Sequence, residues 1–206
     1  MPVAPLPVRR VLRVVLVLLV RALYRIELRS GALPVKGPAL VAANHTAYVD
    51  PFVLTACCAV PIRFVYWHAL DRVPLVGAFC RFCGGIPIAG ALEHRAIYDR
   101  AMAEIDAALA AGEVVAIFPE GGLTRDGAVA PFKRGIENVV SARPVPVVPV
   151  AIEGLWGSVF SKAVAKRPRR LRPRIALSAG APVPPEALSA LHLRERVLSL
   201  GAVASS

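Results

Sequence analysis

Acidic residues are in short supply. The 206-residue chain has 14 Asp and Glu against 25 Lys and Arg, a formal net charge of +11. Aromatic residues are also few, at 6%, and no block interleaves them with basic residues as in proteins that stack on single-stranded nucleic acid. The charge calls for an anionic partner, and the rest of the composition narrows which one. Hydrophobic residues make up 56% of the chain and mean hydropathy is +0.57. A lipid surface matches both the charge and the greasiness; nucleic acid matches only the charge. Long apolar runs are missing. The stretch between Arg13 and Arg21, and uncharged runs such as Pro51 to Ile62, fall well short of the roughly 20 residues that span a bilayer. That leaves a peripheral protein, or one helix dipped into a single leaflet. A clean secretory signal is missing too, because Arg21 and Arg25 follow the short apolar stretch and no small-residue cleavage site is evident.

Cysteine is sparse: Cys57, Cys58, Cys80 and Cys83. Cys80-Arg-Phe-Cys83 has the CxxC form, but no second CxxC or paired histidine follows at a metal-binding spacing. The four read as core thiols in a reducing compartment. No metal site is expected.

What is present is an alternation of strands and helices. Residues 11–26 read as an amphipathic helix. Val11, Leu12, Val15, Leu19, Ala22, Leu23 and Ile26 share one face, and Arg9, Arg13, Arg21, Arg25 and Arg29 trace a basic stripe opposite. Arginines flanking an apolar middle suit a helix lying in a membrane interface; an ordinary helix packed on a sheet shares the pattern. Strands are predicted over 38–43, 63–67, 85–88, 114–118, 145–152 and 174–178. Helices are predicted over 52–56, 73–82, 92–111 and from 184 onward, the last with Leu188, Leu191 and Leu198 inward. This order implies an α/β domain with a largely parallel or mixed sheet flanked by helices. The chain divides into an N-terminal membrane-associated helix, 1–30, and one domain, 31–206.

Asn44-His45-Thr46-Ala47-Tyr48-Val49-Asp50-Pro51 joins the first buried strand to its helix. Asp50 before Pro51 reads as an N-cap followed by proline at the first helical position. On a turn closing at a helix start, the Asp50 carboxylate can fold back onto the His45 ring. It would then fix the tautomer and stabilise the imidazolium, making the other nitrogen a general base. The plainer alternative is a cap and an unrelated turn histidine. A second loop follows the strand at 114–118: Pro119-Glu120-Gly121-Gly122-Leu123-Thr124-Arg125, then Pro131-Phe132-Lys133-Arg134-Gly135. Glycines let backbone N–H groups approach an anion, and Arg125, Lys133 and Arg134 supply cations. In an α/β fold this is where ligands bind, beyond the strands' carboxyl ends. Lys162, Lys166, Arg167, Arg169, Arg170, Arg172 and Arg174 form an acid-free run, suited to an anionic lipid surface, to the phosphates of coenzyme A or to an acidic carrier protein. It can equally be a solvated face.

These blocks resemble the glycerolipid acyltransferases, the group that contains 1-acylglycerol-3-phosphate acyltransferase. His45-x4-Asp50 resembles the first block. Phe118-Pro119-Glu120-Gly121 with Arg125 resembles the third, and Val145-Pro146-Val147-Val148-Pro149-Val150 the fourth. The spacing before Arg125, and Gly154-Leu155-Trp156-Gly157, are similar to variants acting on lysophospholipids, including 2-acylglycerophosphoethanolamine acyltransferase. The second block departs: Gly85-Ile86-Pro87-Ile88-Ala89-Gly90 has glycine where the family's phosphate-binding arginine stands.

The resemblance implies His45 and Asp50 as catalytic residues and Glu120, Gly121, Arg125 and Lys133 as acceptor- or phosphate-binding residues. It implies transfer of a fatty acyl group from acyl-CoA or acyl-carrier protein to the hydroxyl of a lysophospholipid or lysophosphatidic acid, with no cofactor and no metal. A thioesterase using the same dyad and a catalytically silent lipid-binding protein are the alternatives. The expected partners are membrane lipids and the acyl donor, not nucleic acid. The expected location is the cytoplasmic face of a membrane, peripheral or monotopic.

Overall fold

A computed structural model describes residues 3–34, 36–164 and 172–203, with residues 202 and 203 by backbone alone. Its centre is a seven-stranded sheet ordered β1-β7-β6-β2-β5-β3-β4. The strands are β1 (Arg25–Ser30), β2 (Ala39–Ala43), β3 (Ile62–Trp67), β4 (Ile86–Ile88), β5 (Val114–Ile117), β6 (Val147–Glu153) and β7 (Arg174–Ala179). Every neighbouring pair is parallel except β6 with β7, which makes the sheet mixed. The helices are α1 (Leu6–Leu23), α2 (Asp50–Cys57), α3 (Val76–Phe82), α4 (Arg95–Ala110), α5 (Gly135–Ala142) and α6 (Ala190–Val203).

Both faces of the sheet are covered, as the continuous apolar strands require. Along fully buried β2, Val41 and Ala43 face the layer that holds α1 and α2, while Leu40 and Ala42 face α4, α5 and α6. Successive side chains alternate across the pleat, so one strand feeds two cores. The parallel run β6-β2-β5-β3-β4 also aligns the carboxyl ends of five strands along one edge, and the loops carrying function leave from there.

Several expectations need correction. The N-terminal helix ends at Leu23, and Arg25–Ser30 is a strand paired with β7, so a boundary at residue 30 cuts behind a strand of the sheet. Alternation of charged and apolar residues in Arg-Ile-Glu-Leu-Arg-Ser suits an edge strand, and the regular arginine spacing masked it. The helix expected over 73–82 starts at Val76, after a 3-10 turn over His68–Arg72. Helix α5 begins at Gly135, the last residue of the expected loop, and fills a stretch to which no element was assigned. In α6 the inward residues are Ala190, Leu193 and Val197; Leu191 and Leu198 are exposed.

Three arginines of the expected outer stripe on α1 instead bond back to the domain, although Arg21 stays exposed. Arg9 is buried and pairs with Glu113 at 2.6 Å, while Arg13 and Arg21 donate to the carbonyls of Cys58 and Ala56 at the end of α2. Arg63 joins the same cluster, contacting Glu113 at 3.4 Å, Glu104 at 2.5 Å and the Gly84 carbonyl at 2.6 Å. Arg63 uses the guanidinium's planar fork of donors to meet three acceptors at once. The outer face of α1 is left to Val11, Val14, Val15, Leu18, Leu19 and Leu23, all exposed. No helix among the described residues is long and apolar enough to cross a membrane.

Glu113 is thus the shared counter-ion of two inward guanidiniums. Glu113→Ala strands buried Arg9, while Arg63 keeps Glu104 and the Gly84 carbonyl; the change is expected to cost about 3 kcal/mol of folding stability, read as a lower midpoint in urea denaturation.

Candidate active site

The loop after β2 folds back as the His45–Asp50 spacing suggested. His45 Nδ1 lies 2.8 Å from Asp50 Oδ2. The same oxygen accepts the backbone N–H of Thr46 at 2.6 Å and of Ala47 at 2.9 Å, and Oδ1 accepts the Thr46 hydroxyl at 3.3 Å. An oxygen already taking two N–H donors is an acceptor, so Nδ1 carries the ring proton on this side and Nε2 presents its lone pair. Asp50 is fully buried, whereas the His45 side chain is 17% exposed. Nε2 has no protein partner among the described residues. Asp50 does not cap α2: it is the helix's first residue, and Val49 holds the N-cap position without a side-chain bond. Its carboxylate is committed to the N–H groups upstream, which is the geometry that brings it to the ring.

The ring is held on a second side. Phe118, the residue just after β5, stacks on His45 with centroids 4.1 Å apart, and Phe64 continues the stack at 6.3 Å from Phe118. Sequence reasoning placed Phe118 at a strand end and at the head of the block resembling the family's third; its stacking on His45 follows from β5 lying beside β2, which only sheet order supplies.

Glu120 is the second buried carboxylate. Oε1 accepts the His45 backbone N–H at 2.6 Å and Oε2 accepts the Ala130 N–H at 2.8 Å. The Thr124 N–H donates to the His45 carbonyl at 2.9 Å. Both peptide groups of His45 are therefore clamped by the loop after β5. Burial raises the Glu120 carboxyl above the ordinary range, with the two N–H bonds pulling it down by less. Asn44 adds a third brace: its side chain exchanges two hydrogen bonds with Ile152 of β6, at 3.0 and 2.7 Å. A fourth comes from the Tyr48 N–H to the Phe160 carbonyl, at 3.0 Å.

The cationic candidates lie on the same loop. Gly121 has φ +72°, which favours glycine at this turn, and the Lys133 side chain lies across it, with Nζ 2.5 Å from where a Cβ would stand. Arg125 is exposed and pairs with no carboxylate among the described residues. Arg134 pairs with Glu137 at 2.9 Å. Beside Gly90 stands a carboxylate and not a cation: Glu93 accepts the Gly90 N–H at 3.4 Å and faces His68 Nε2 at 3.5 Å. In the basic run, Lys166, Arg167, Arg169 and Arg170 lie outside the described residues. Two surface depressions of about 390 and 360 Å3 flank α5 and α6, and neither is lined by His45 or Asp50. Burial pushes the Cys57 thiol up to about 11 and raises Cys58, Cys80 and Cys83 as well, which suits inert thiols.

A family profile described as Acyltransferase matches residues 25–153, a span holding both carboxylates and the ring between them. The chain belongs to the acyltransferase family. Among curated relatives, the 1-acyl-sn-glycerol-3-phosphate acyltransferase of Borreliella burgdorferi is 29% identical over 125 residues, covering 60% of this chain and 48% of that protein. The 1-acyl-sn-glycerol-3-phosphate acyltransferase alpha of Ovis aries is 31% identical over 190 residues, covering 87% and 61%. The chain thus spans only about half to three-fifths of these two relatives' lengths. The crystal structure of the 1-acyl-sn-glycerophosphate (LPA) acyltransferase PlsC from Thermotoga maritima superposes with a TM-score of 0.72 at 20% identity, covering 96% of this chain and 82% of that one. That likeness shows a shared fold.

Glu120→Gln replaces one acceptor by an NH2 group facing a backbone N–H, and should cost about 1–3 kcal/mol of stability. A carboxyl raised by burial contributes fully below its unfolded value of about 4.3, and that contribution is lost as pH rises toward the raised folded value. The stability gap between wild type and Glu120→Gln should therefore shrink as pH rises through that window, measured by denaturant midpoints at several pH values.

Proposed function

We propose that the protein moves a fatty acyl group from the thioester of acyl-CoA or acyl-carrier protein to the free hydroxyl of a lysophosphatidic acid or lysophospholipid. The observation that carries this reading is the 2.8 Å contact between His45 Nδ1 and buried Asp50, which leaves Nε2 open. Nε2 takes the acceptor's hydroxyl proton as its oxygen attacks the thioester carbonyl. The tetrahedral intermediate collapses, the carbon–sulfur bond breaks, and the thiolate recovers the proton from the imidazolium. Asp50 holds the ring in the productive tautomer and stabilises its charged form. Phe118 fixes the ring plane, and Glu120 fixes the backbone that carries it.

Lys133 and Arg125, on the loop after β5, would meet the acceptor's phosphate, with Gly121 letting that loop approach it; the closeness of Lys133 to Gly121 and the exposure of Arg125 support this. Glu93 beside Gly90 adds negative charge where a phosphomonoester needs positive charge. This favours acceptors whose phosphate is a diester over the dianionic head of lysophosphatidic acid. The outward apolar face of α1 supports a peripheral position on the cytoplasmic face of a membrane.

His45→Ala should lower thiol release at least ~10²-fold with stability retained. An acceptor panel of lysophosphatidic acid, lysophosphatidylethanolamine, lysophosphatidylcholine and simple alcohols, read by thiol release and diacyl product, should favour the lysophospholipids. Free fatty acid as the sole product would replace transfer by hydrolysis.

A further inference from the structure

The turn between β3 and α3 holds backbone strain beneath an outward-facing leucine. Leu75 has φ +65° and ψ −35° and is 84% exposed. The Val76 N–H donates to the Pro74 carbonyl at 2.8 Å, closing a γ-turn of positive φ, a strained form for a residue with a β-carbon. Glycine would remove the strain, and a polar residue would suit the exposure. Leucine gains nothing here from the folded chain.

The turn is braced. A Cβ on Gly77 would lie 2.5 Å from Asp71 Cα, so the two arms are in close contact. Asp71 accepts the Tyr66 hydroxyl at 2.7 Å and Arg81 Nε at 3.2 Å. Val73 and Val76 flank the tip and are exposed. At its base, the Phe79 ring lies 6.5 Å from that of Phe52, two residues past Asp50 on α2. Because β2, β5, β3 and β4 are parallel, the segment leaving β3 starts from the sheet edge that carries His45.

We propose that this turn is a lipid-contacting element separate from α1, inserting Val73, Leu75 and Val76 into the acyl layer of an anionic bilayer. The inference rests on the reading that the protein works at a membrane. A bilayer is the fitting occupant because these side chains project from a convex tip rather than line a groove. Arg72 adjoins the tip, and the chain carries +11; basic groups beside inserted apolar ones add attraction to anionic lipid. The turn and the outer face of α1 are two contacts on elements bracketing α2, and together they fix the dyad's orientation to the lipid surface.

The test is co-sedimentation of the full chain with vesicles of phosphatidylcholine and phosphatidylglycerol, comparing wild type, Leu75→Asp, Leu75→Gly and Leu18→Asp on the face of α1. Leu75→Asp should lower the partition coefficient at least about tenfold. Leu75→Gly should weaken binding while leaving the thermal midpoint unchanged or higher, which separates lost insertion from lost folding. Turnover of a short-chain acceptor below its micellar limit should be unchanged in both. Leu75→Asp binding vesicles as wild type does, with Leu18→Asp impaired, would overturn the turn's role and leave the membrane reading standing. A wild-type protein that ignores vesicles would overturn both. Vesicle binding lost in Leu75→Asp, from a protein that acylates no acceptor, would uphold the turn and reject the acyltransfer reading.

Discussion

One carboxylate oxygen holding three N–H groups is the constraint on which the rest of the site depends. Asp50 Oδ2 gathers Thr46, Ala47 and the His45 ring while fully buried. Removing such a group from water is costly unless its lone pairs are met, so the loop has little freedom to bind it otherwise. The buried oxygen shapes the turn, and the turn sets the ring. Everything nearby repeats the logic with other partners: Glu120 takes the His45 N–H, Thr124 the His45 carbonyl, and Asn44 the edge of β6. The histidine is held through its ring, its backbone and its strand.

Charge is arranged by the same economy of acceptors. The inward arginines of α1 and β3 share Glu113 and a few carbonyls on the far side of the domain, so they bind the chain to itself. On the loop after β5, Lys133 lies across Gly121, and Arg125 is exposed with no carboxylate partner among the described residues. The apolar surplus that raised mean hydropathy is divided in the same way. Most of it forms two cores on either side of the sheet, and the remainder stands outside on α1 and the Leu75 turn.

The class of fold was legible because buried parallel strands leave continuous apolar runs that helices must separate, and β2, β3, β5 and β6 all read that way. The five-residue step allowed Asp50 to fold back onto His45 but left a plain cap open; the resemblance to the family's first block favoured the pair, and the 2.8 Å contact shows the two side chains together. Other features were hidden by patterns with two readings. Arg25 and Arg29 continued the four-residue rhythm of α1 although they lie on β1. Spacing alone did not tell which face of α1 is buried, because arginine can satisfy carbonyls inward as readily as phosphates outward. Phe118 and Glu120 act on His45 across strand neighbours, a relation that sheet order supplies and linear order does not. The carboxylate beside Gly90 belongs to the same group: Glu93 reaches it through a local turn.

The central claim is that Asp50 makes His45 a base. It is tested most directly by thiol release from acyl donor and lysolipid acceptor in Asp50→Asn, with folding verified by the thermal midpoint. The amide keeps an acceptor for the loop's N–H groups but loses the charge facing the ring. The account predicts a fall of at least ~10²-fold in kcat. A folded Asp50→Asn protein turning over within a few-fold of wild type would contradict it.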